Sequence, residues 1–302
     1  MTIFETFVRR TKHFVENPCY MVKKLLCRYI PNYVPDKWYL EVLFFQKMGC
    51  FLNLKHPKTY NEKLQWLKLY DRNPLYTTLV DKYRVKQYVA DKIGEQYVVP
   101  LLAVYNSVNE IDLSTLPNQF VLKCNHDSGS FAICRDKNNF DIESAKRKLD
   151  KGLKTDFYKI AREWPYKNVK RCIIAEQYLE TEDGVLCDYK FFCFNGTPEI
   201  MYIGADKADE PTSDFYDMDF NHLPIRMVDP NAAVPPLRPQ CFEQMKQIAT
   251  TLSIGIPHVR VDFYCVNNKI YFGEYTFYHM GGFSEVKPSE WNNRLGEYIT
   301  TI

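Results

Sequence analysis

Residues 258–277 read H-V-R-V-D-F-Y-C-V-N-N-K-I-Y-F-G-E-Y-T-F and carry more information on the architecture than any other part of the chain. Two runs rich in β-branched and aromatic residues flank Asn267-Asn268, a pattern typical of a β-hairpin. Successive strand side chains point to opposite faces, so Arg260 and Asp262 share one face. The residues between and beyond them are apolar, which predicts one apolar and one polar face.

The return strand determines where the acidic residues lie. Glu274 and Thr276 share one of its faces. With an odd number of loop residues, Asp262 would lie across from Glu274, and Arg260 across from Thr276. An even loop would put Glu274 on the apolar face, where an unpaired carboxylate costs on the order of several kcal/mol. We therefore predict an odd loop or a bulge.

Two facing carboxylates repel each other unless a cation lies between them. Magnesium suits hard oxygen ligands, and it usually takes one or two carboxylates together with substrate phosphates. A surface network bridged by Arg260 would explain the same spacing. The spacing alone does not choose between a metal site and such a network.

A lysine followed by a small polar loop forms the second motif. Lys123 lies within the predicted strand F-V-L-K-C and needs a partner, because a buried ammonium is costly. The loop N-H-D-S-G-S, residues 125–130, follows directly and can turn backbone N–H groups toward an anion. It lacks the G-K-[ST] ending of a Walker A loop, so a phosphate-binding loop and a plain β-turn both remain open.

Other candidate residues are weaker when they are taken singly. Lys82 lies at the start of a predicted helix, where a lone lysine is usually solvated. Asp188 and Lys190 share one face of the strand C-D-Y-K-F-F-C-F, so they either pair with each other or face a ribose and a phosphate. His126 and His279 could act as general acids or bases, although a lone loop histidine is usually solvated.

Composition indicates an ordinary globular protein. The chain has 302 residues, of which 46% are apolar and 25% are charged, so two or three packed subdomains are feasible. The net charge of +2 and the absence of a long basic run give no reason to expect nucleic acid as a partner. Ten scattered cysteines, without a C-x-x-C pair or zinc-ligand spacing, favour a reducing cytoplasm. The sequence shows neither a signal-peptide cleavage site nor an apolar run long enough to span a bilayer.

Periodicity predicts mainly helices before residue 95 and mainly strands after it, an α+β arrangement with mostly antiparallel pairing in the C-terminal half. Residues 1 to about 50 combine helical apolar spacing with basic residues, so this part either packs on the body or lies on an anionic membrane surface. The other predicted helices cover 61–70, 79–93, 142–154 and 239–252. The predicted strands cover 97–105, 119–126, 131–135, 171–179, 188–194, 199–203 and the two arms of 258–277.

Taken in order, the motifs resemble the ATP-grasp superfamily. They are D-K before a helix, F-V-L-K before a polar loop, I-I-A-E-Q-Y-L, D-Y-K-F-F, and R-V-D-F-Y followed by F-G-E-Y-T. More narrowly, N-E-K-L-Q-W-L-K-L-Y-D-R (61–72), L-V-D-K-Y-R-V-K-Q-Y-V-A-D-K-I-G (79–94), K-C-N-H-x-S-G and E-W-P-Y-K-N (163–168) resemble the TupA-like branch, which is named for a teichuronopeptide-biosynthesis protein. The resemblance covers roughly residues 50–300.

The resemblance implies an ATP-grasp fold, in which two α+β subdomains clasp ATP behind a helical N-terminal region. We expect the helical region over 1–60 and the ATP-grasp domain over 61–302. Within that domain we expect a nucleotide-clasping subdomain at about 97–180 and a metal and substrate subdomain over 181–302.

The resemblance also implies roles for individual residues. The positions matched to nucleotide binding are Lys82, Lys123, Ser128, Gly129, Ser130, Glu176, Gln177, Tyr178, Leu179 and Asp188. Lys190 and Lys207 match basic residues near the γ-phosphate and the acceptor carboxylate, and Arg260 matches the arginine that stabilises the transferring phosphoryl group. The positions matched to magnesium are Asp262, Glu274 and Thr276, the last in place of the usual asparagine.

These roles imply an ATP- and Mg²⁺-dependent ligase that joins a carboxylate to an amine through an acyl-phosphate. The branch implies an amino acid or another amine, and the uronic-acid carboxylate of a bacterial surface-polysaccharide precursor, as substrates. It further implies a cytoplasmic protein, in contact with the inner face of the membrane if the basic N-terminus binds lipid. A sugar kinase with the same ATP site and a non-catalytic sugar-binding module are the alternatives.

Overall fold

The computed structural model describes residues 18–181, 186–205, 211–227 and 229–300. It confirms the α+β class: helices dominate the first third of the described chain, and two antiparallel sheets follow. Lys207 and the first seventeen residues, with the basic Arg9, Arg10 and Lys12, lie outside the described residues.

Helices alternate with short 3₁₀ turns. The α-helices are α1 (Pro18–Tyr29), α2 (Asp36–Met48), α3 (Tyr60–Tyr70), α4 (Leu75–Val80), α5 (Val85–Ile93), α6 (Ile142–Lys154), α7 (Phe157–Ala161), α8 (Phe242–Ser253) and α9 (Glu290–Tyr298). The 3₁₀ turns cover Glu95–Tyr97, Val108–Glu110, Leu113–Thr115, Lys137–Asn139, Trp164–Asn168 and His279–Gly282. Within the described ranges, none of the helices combines the length and the apolar character needed to cross a bilayer.

The strands form two separate sheets. They are β1 (Leu101–Tyr105), β2 (Phe120–Cys124), β3 (Phe131–Cys134), β4 (Ile173–Gln177), β5 (Cys187–Phe194), β6 (Thr197–Ala205), β7 (Thr212–Asp217), β8 (His222–Leu223), β9 (His258–Val266) and β10 (Lys269–Thr276). The first sheet has the order β1-β4-β2-β3 and the second the order β10-β9-β5-β6-β7-β8, as far as the described residues show.

The second sheet is buried on both faces over much of its length. Phe191 stacks on Phe242 of α8 and contacts Phe263 of β9 on one face. On the other face Phe192 packs near Tyr60 at the start of α3. Helices α3, α4 and α5 share this core, so they belong to the same packed unit as the second sheet. The first sheet has its own smaller core, in which β2 and β4 pack on α6.

The hairpin has an even loop and a compensating bulge. Asn267 and Asn268 form a two-residue turn with φ values of 50° and 61°, and Lys269 pairs with Val266. The register shifts between Phe272 and Tyr275, so that two residues, Gly273 and Glu274, lie opposite Asp262 alone. The bulge brings Glu274 back to the polar face and Thr276 opposite Arg260, which confirms the predicted arrangement.

Several sequence-based boundaries are wrong. The predicted helix 79–93 is broken between α4 and α5, because Asp81 accepts backbone hydrogen bonds from Tyr83 and Arg84 at 2.9 and 3.3 Å and ends the first helix. Lys82 therefore lies in a turn. The sequence patterns also missed the elements α7, α9, β7 and β8. A disulfide joins Cys241 to Cys265 of β9.

Candidate active site

A cavity of about 380 Å³ lies between the two sheets. Its wall on the side of the first sheet includes Val121, Lys123, the loop 127–131, Ile133 and the segment 176–179, and its wall on the side of the second sheet includes Asp188, Lys190, Asp262, Tyr264 and Glu274. Lys82 adds a charge from the turn between α4 and α5. One end of the cavity is therefore apolar, and the other is crowded with charges.

The structure brings most of the predicted site residues into this wall. They are Lys82, Lys123, Ser128, Gly129, Ser130, Glu176, Gln177, Tyr178, Leu179, Asp188, Lys190, Asp262 and Glu274. Arg260 and Thr276 lie directly behind Asp262 and Glu274. His126 is not part of the wall.

Glu176 is the negative centre of the first sheet's wall. Its carboxylate contacts Lys86 Nζ through Oε1 and Lys123 Nζ through Oε2, both at 2.5 Å. Burial would raise the pKa of Glu176, but the charges of Lys123 and Lys86 lower it below its usual value. Sequence reasoning missed Lys86, which also donates to Val99 O at 2.7 Å. In the sequence, Lys86 looks like an ordinary helical lysine, and nothing marks it as a site residue.

Lys82 is held by a buried polar network. Asn125 donates to Asp81 Oδ1 at 2.8 Å, and the backbone N–H of Lys82 donates to Asn125 O at 2.9 Å. The Lys82 ammonium then donates to Asp127 O at 2.7 Å and lies 3.6 Å from Glu274 Oε2. Its side chain is 16% exposed, against 20% for Lys123, so the expectation of a solvated Lys82 is wrong.

Arg260 fills the space between the hairpin carboxylates. Its Nε and Nη2 atoms each donate to Asp262 at 2.7 Å, and Nη2 lies 3.6 Å from Glu274 Oε1. Lys190 approaches Asp262 Oδ2 to 3.1 Å and Asp188 Oδ2 to 3.2 Å. Asp188 and Lys190 thus contact each other, and both face the cavity. Burial would lower the pKa of Lys190, but Asp262 and Asp188 raise it above its usual range.

Glu274 is the most accessible carboxylate at this charged end. Its side chain is 37% exposed. Burial raises the pKa of Glu274, but the charges of Lys82 and Arg260, and then that of Lys190, lower it to about 2. An ionised carboxylate at neutral pH therefore faces the cavity.

His279 orients the arginine from behind. Arg260 Nη1 donates to His279 Nδ1 at 2.6 Å, so the ring carries its proton on Nε2. Burial and the charge of Arg260 hold the pKa of His279 well below its usual range. From the sequence, His279 was a possible general acid or base. In the structure its Nδ1 atom accepts a hydrogen bond from Arg260.

His126 points away from the cavity. It is 1% exposed, its Nε2 lies 3.2 Å from Thr155 O, and burial lowers its pKa. The expectation of a solvated loop histidine is therefore wrong.

The donors at the charged end suit a magnesium ion that is held mainly by phosphate oxygens. Glu274 offers an ionised, accessible carboxylate, whereas both oxygens of Asp262 already accept from Arg260. Thr276 Oγ1 accepts from Arg260 Nη2 at 3.0 Å and donates to Glu274 Oε1 at 3.3 Å. Among the described residues, no group of three or more His, Cys, Asp or Glu converges on a metal position. One or two carboxylates with substrate phosphates suffice for magnesium.

Two antiparallel sheets that surround a common cavity with lysines and carboxylates are the arrangement of an ATP-grasp protein. The family model described as TupA-like ATPgrasp matches residues 62–300, and the chain belongs to this family. This finding confirms the resemblance and the fold that it implied. A comparison with curated proteins gives no match.

Several solved structures are similar to this chain at low identity. D-alanine–D-alanine ligase from Bacillus anthracis, complexed with ATP, is 14% identical over 66% of this chain and 54% of its own, with a TM-score of 0.39. The corresponding ligase from Helicobacter pylori is 14% identical over 79% and 68%, with a TM-score of 0.44. L-amino acid ligase from Bacillus licheniformis is 12% identical over 83% and 55%, with a TM-score of 0.43. The chain spans only about half the length of the first and third of these proteins.

Proposed function

We propose that this protein is an ATP-dependent carboxylate–amine ligase that acts through an acyl-phosphate. The observation that supports the proposal most directly is the convergence of Lys82, Lys123 and Lys190 with the ionised Glu274 at one end of a cavity between two sheets. Membership of the TupA-like ATP-grasp family supports the same class. A triphosphate at this end would meet three ammonium groups.

The apolar end of the cavity would take the adenine, next to the backbone of 176–179, and Asp188 would bind the ribose. Lys82, Lys123 and the loop residues Ser128–Ser130 would bind the phosphates. Glu274 and Asp262, with Thr276 supporting them, would hold Mg²⁺, which would neutralise phosphate charge. Lys190, Arg260 and Lys207 would act on the γ-phosphate and the acceptor carboxylate, and His126 stays a weaker acid–base candidate.

A carboxylate is a poor electrophile, so the first step would transfer the γ-phosphoryl group of ATP to a carboxylate oxygen and release ADP. Positioning and charge neutralisation carry most of the catalysis of such transfers. Arg260 is buried, and both Asp262 and His279 fix its guanidinium, so its charge is pre-oriented. An amine nitrogen would then attack the acyl carbon, and phosphate would leave.

The substrate pair in this proposal is an amino acid or another amine and the carboxylate of a uronic acid in a surface-polysaccharide precursor. The support is the TupA-like branch itself. In this setting the protein would work in the cytoplasm, at the inner face of the membrane if the N-terminal basic residues contact lipid. This proposal goes with the domain division expected from the sequence. That division has a helical region over 1–60 and an ATP-grasp domain over 61–302, the latter with a nucleotide-clasping subdomain at about 97–180 and a metal and substrate subdomain over 181–302.

The test is an assay with Mg-ATP, a panel of amino acids and a panel of uronic acids and their glycosides, with detection of ADP, phosphate and amide product. We expect phosphate and amide together, and loss of turnover in Asp262→Asn and Glu274→Gln. Asp219→Asn, on an exposed turn, is the matched control. A stable phosphorylated sugar would identify a kinase instead. No change of melting temperature with Mg-ATP would identify a binding module without ATP chemistry, since a ligand at 100 times its Kd stabilises by about 2.7 kcal/mol.

A further inference from the structure

Helix α3 buries a polar face. Asn61, Gln65 and Lys68 recur at positions i, i+4 and i+7, so they lie on one side of the helix, and they are 2%, 0% and 0% exposed. Polar side chains are seldom buried completely, and an ammonium group hardly ever is, unless they have specific partners. The wall of the nucleotide cavity does not include these three residues, so the face needs another explanation.

The partners of the polar face are the carbonyl groups of one turn. Asn61 Nδ2 donates to Gly282 O at 3.0 Å and to Ser284 O at 2.8 Å. Gln65 Nε2 donates to Gly282 O at 2.9 Å and to Gly281 O at 3.2 Å. Two side chains of α3 therefore hold the backbone of the segment that follows β10.

Lys68 completes this contact as a charged group. Its Nζ atom donates to Gly281 O at 2.6 Å, and to Gln65 Oε1 and Ala161 O at 2.9 Å each. Only the ammonium form has three N–H donors for these three acceptors. The ring of Phe283, with its centroid 4.6 Å from Nζ, adds a cation–π contact.

Glu163 lies beside the same turn. Its Oε1 atom would be 3.5 Å from a Cβ at Gly281. Burial raises the pKa of Glu163 to about 7, against the charge of Lys68, which lowers it. Glu163 is therefore partly ionised at neutral pH, and its charge offsets part of the cost of burying the Lys68 ammonium.

The turn that α3 holds has an unusual backbone. Met280, Gly281 and Gly282 have φ values of 50°, 62° and 70° in succession. The left-handed region is unfavourable for a residue such as methionine, and strain of this kind persists only where the surrounding contacts fix it. A Cβ at Gly282 would lie 2.4 Å from Gln65 Nε2, so the turn and the helix approach each other closely. The polar face supplies the contacts that fix this conformation.

The turn connects the polar face to the arginine of the candidate site. It begins at His279, whose Nδ1 atom accepts from Arg260 Nη1 at 2.6 Å. The backbone N–H of Gly281 donates to Tyr278 O at 2.8 Å, so the carbonyls that α3 holds and the histidine belong to one hydrogen-bonded turn. A shift of this turn would therefore move His279 and release one side of the guanidinium.

We propose that Lys68 and the rest of the buried polar face of α3 position His279, and through it the guanidinium of Arg260, for phosphoryl transfer. This inference rests on the proposed ligase function, in which Arg260 acts on the γ-phosphate. Lys68 is a positioning residue in this proposal, because it acts only through the turn. Nucleotide binding should be largely independent of it, since Lys82 and Lys123 would hold the phosphates.

The experiment compares two variants of the polar face with a matched control. Lys68→Met removes the ammonium and keeps a long side chain. Gln65→Glu keeps an acceptor for Lys68 but loses both donors to the turn, so it tests the same contact if Lys68→Met does not fold. Lys63→Met is the control, because Lys63 belongs to the same helix and its Nζ atom donates to Ile299 O at 2.7 Å, outside the turn.

The first readout separates kcat from KM. Each protein is assayed with Mg-ATP and with the amino acid and the uronic acid of the panel above that give the fastest turnover. We expect both variants of the polar face to lower kcat by about tenfold or more, since a small displacement of a catalytic group has effects of this order. The KM for Mg-ATP should stay within about twofold of the wild type, and Lys63→Met should change neither constant.

A double-mutant cycle tests whether Lys68 acts through the histidine. His279→Asn removes the ring that accepts from Arg260. In this background the further change Lys68→Met should have little additional effect on kcat, because the contact through which Lys68 acts is already lost.

The second readout is the tautomer of His279, which needs no substrate. Proton–nitrogen correlation spectra of protein with isotope-labelled histidine distinguish protonated from unprotonated ring nitrogens, and His279→Asn assigns the signal. We expect the wild type and Lys63→Met to show a single tautomer, with the proton on Nε2. Lys68→Met and Gln65→Glu should show a mixture of tautomers.

Wild-type kcat in a folded Lys68→Met protein would overturn the proposal. So would equal losses of kcat in Lys68→Met and Lys63→Met, independent losses in the cycle with His279→Asn, or an unchanged single tautomer in both variants of the polar face. Absence of turnover by the wild type with every substrate pair would instead reject the proposed ligase, and the tautomer comparison would still decide whether the polar face positions His279.

Discussion

At the residue scale, the wall of the first sheet depends on the charge of Glu176. The side chains of Lys86 and Lys123 are only 13% and 20% exposed, and both contact this one carboxylate. Neither ammonium has another acidic partner among the described residues. Their positions, and with them the shape of the nucleotide cavity, therefore depend on Glu176.

Replacement of Glu176 by glutamine should lower the free energy of unfolding by about 3 kcal/mol, because removal of one partner leaves buried charges unpaired. Urea denaturation at neutral pH measures this. The exposed Glu180→Gln is the control and should change little. Equal urea midpoints for the two variants would show that water, rather than Glu176, compensates the two lysines.

Glu163 should make stability depend on pH. Its folded-state pKa of about 7 lies above its usual value of 4.5, so the folded protein binds more protons between these values than the unfolded chain does. Its contribution therefore favours folding below about pH 4.5 and is lost as the pH rises through 7. Glu163→Gln should raise the free energy of unfolding relative to the wild type by about 2 kcal/mol more at pH 8 than at pH 5.

Denaturation of both proteins at the two pH values gives this difference. Burial lowers the pKa of Lys68 to about 7 against the raising effect of Glu163, so the two groups titrate together and the comparison reports on the pair. A difference that does not vary with pH would mean that Glu163 titrates like an exposed carboxyl.

At the scale of elements, the bulge in β10 is what turns Glu274 toward the cavity. Gly273 allows it, since a Cβ at this position would lie 3.1 Å from Asp262 O. Gly273→Ala should therefore lower the free energy of unfolding by about 1–3 kcal/mol. Gly204→Ala in β6 is the matched control, because its Cβ would meet only ordinary contacts, from 3.6 Å upward. If the two variants unfold at the same temperature, the close approach at Gly273 does not constrain the bulge.

The hairpin shows why part of the fold could be predicted. Strand alternation fixed the faces of Arg260, Asp262, Glu274 and Thr276, and the cost of burying a carboxylate required either an odd loop or a bulge. The break before α5 could not be predicted in this way. It depends on Asp81, whose side chain also accepts from Asn125, a residue far along the chain.

The residues of the candidate site also fall into those that could be predicted from the sequence and those that could not. Residues within recognisable motifs were placed on the cavity wall, because their spacing follows from strand geometry. Lys86 and His279 have their roles only through contacts between elements that are distant in sequence. Helix α9 was missed because Asn292 and Gly296 are poor helix formers, and its packing on α3 compensates.

At the scale of the whole molecule, the two sheets contribute opposite walls of one cavity, and Lys82 touches both. Its ammonium contacts Asp127 O in the loop after β2 and lies 3.6 Å from Glu274 in β10. We therefore expect a nucleotide that binds here to engage both walls together.

Hydrogen exchange should reveal this coupling. A non-hydrolysable ATP analogue with magnesium should slow amide exchange in 125–131, 176–179 and 270–276, and leave α1 unchanged, because α1 contributes nothing to the cavity. Lys82→Met should reduce the protection in the loop and in β10 to a similar extent, whereas Lys151→Met, on the exposed side of α6, should reduce neither. Protection confined to 125–131 and 176–179 would mean that the nucleotide rests on the first sheet alone, and the hairpin carboxylates would then have no part in holding it.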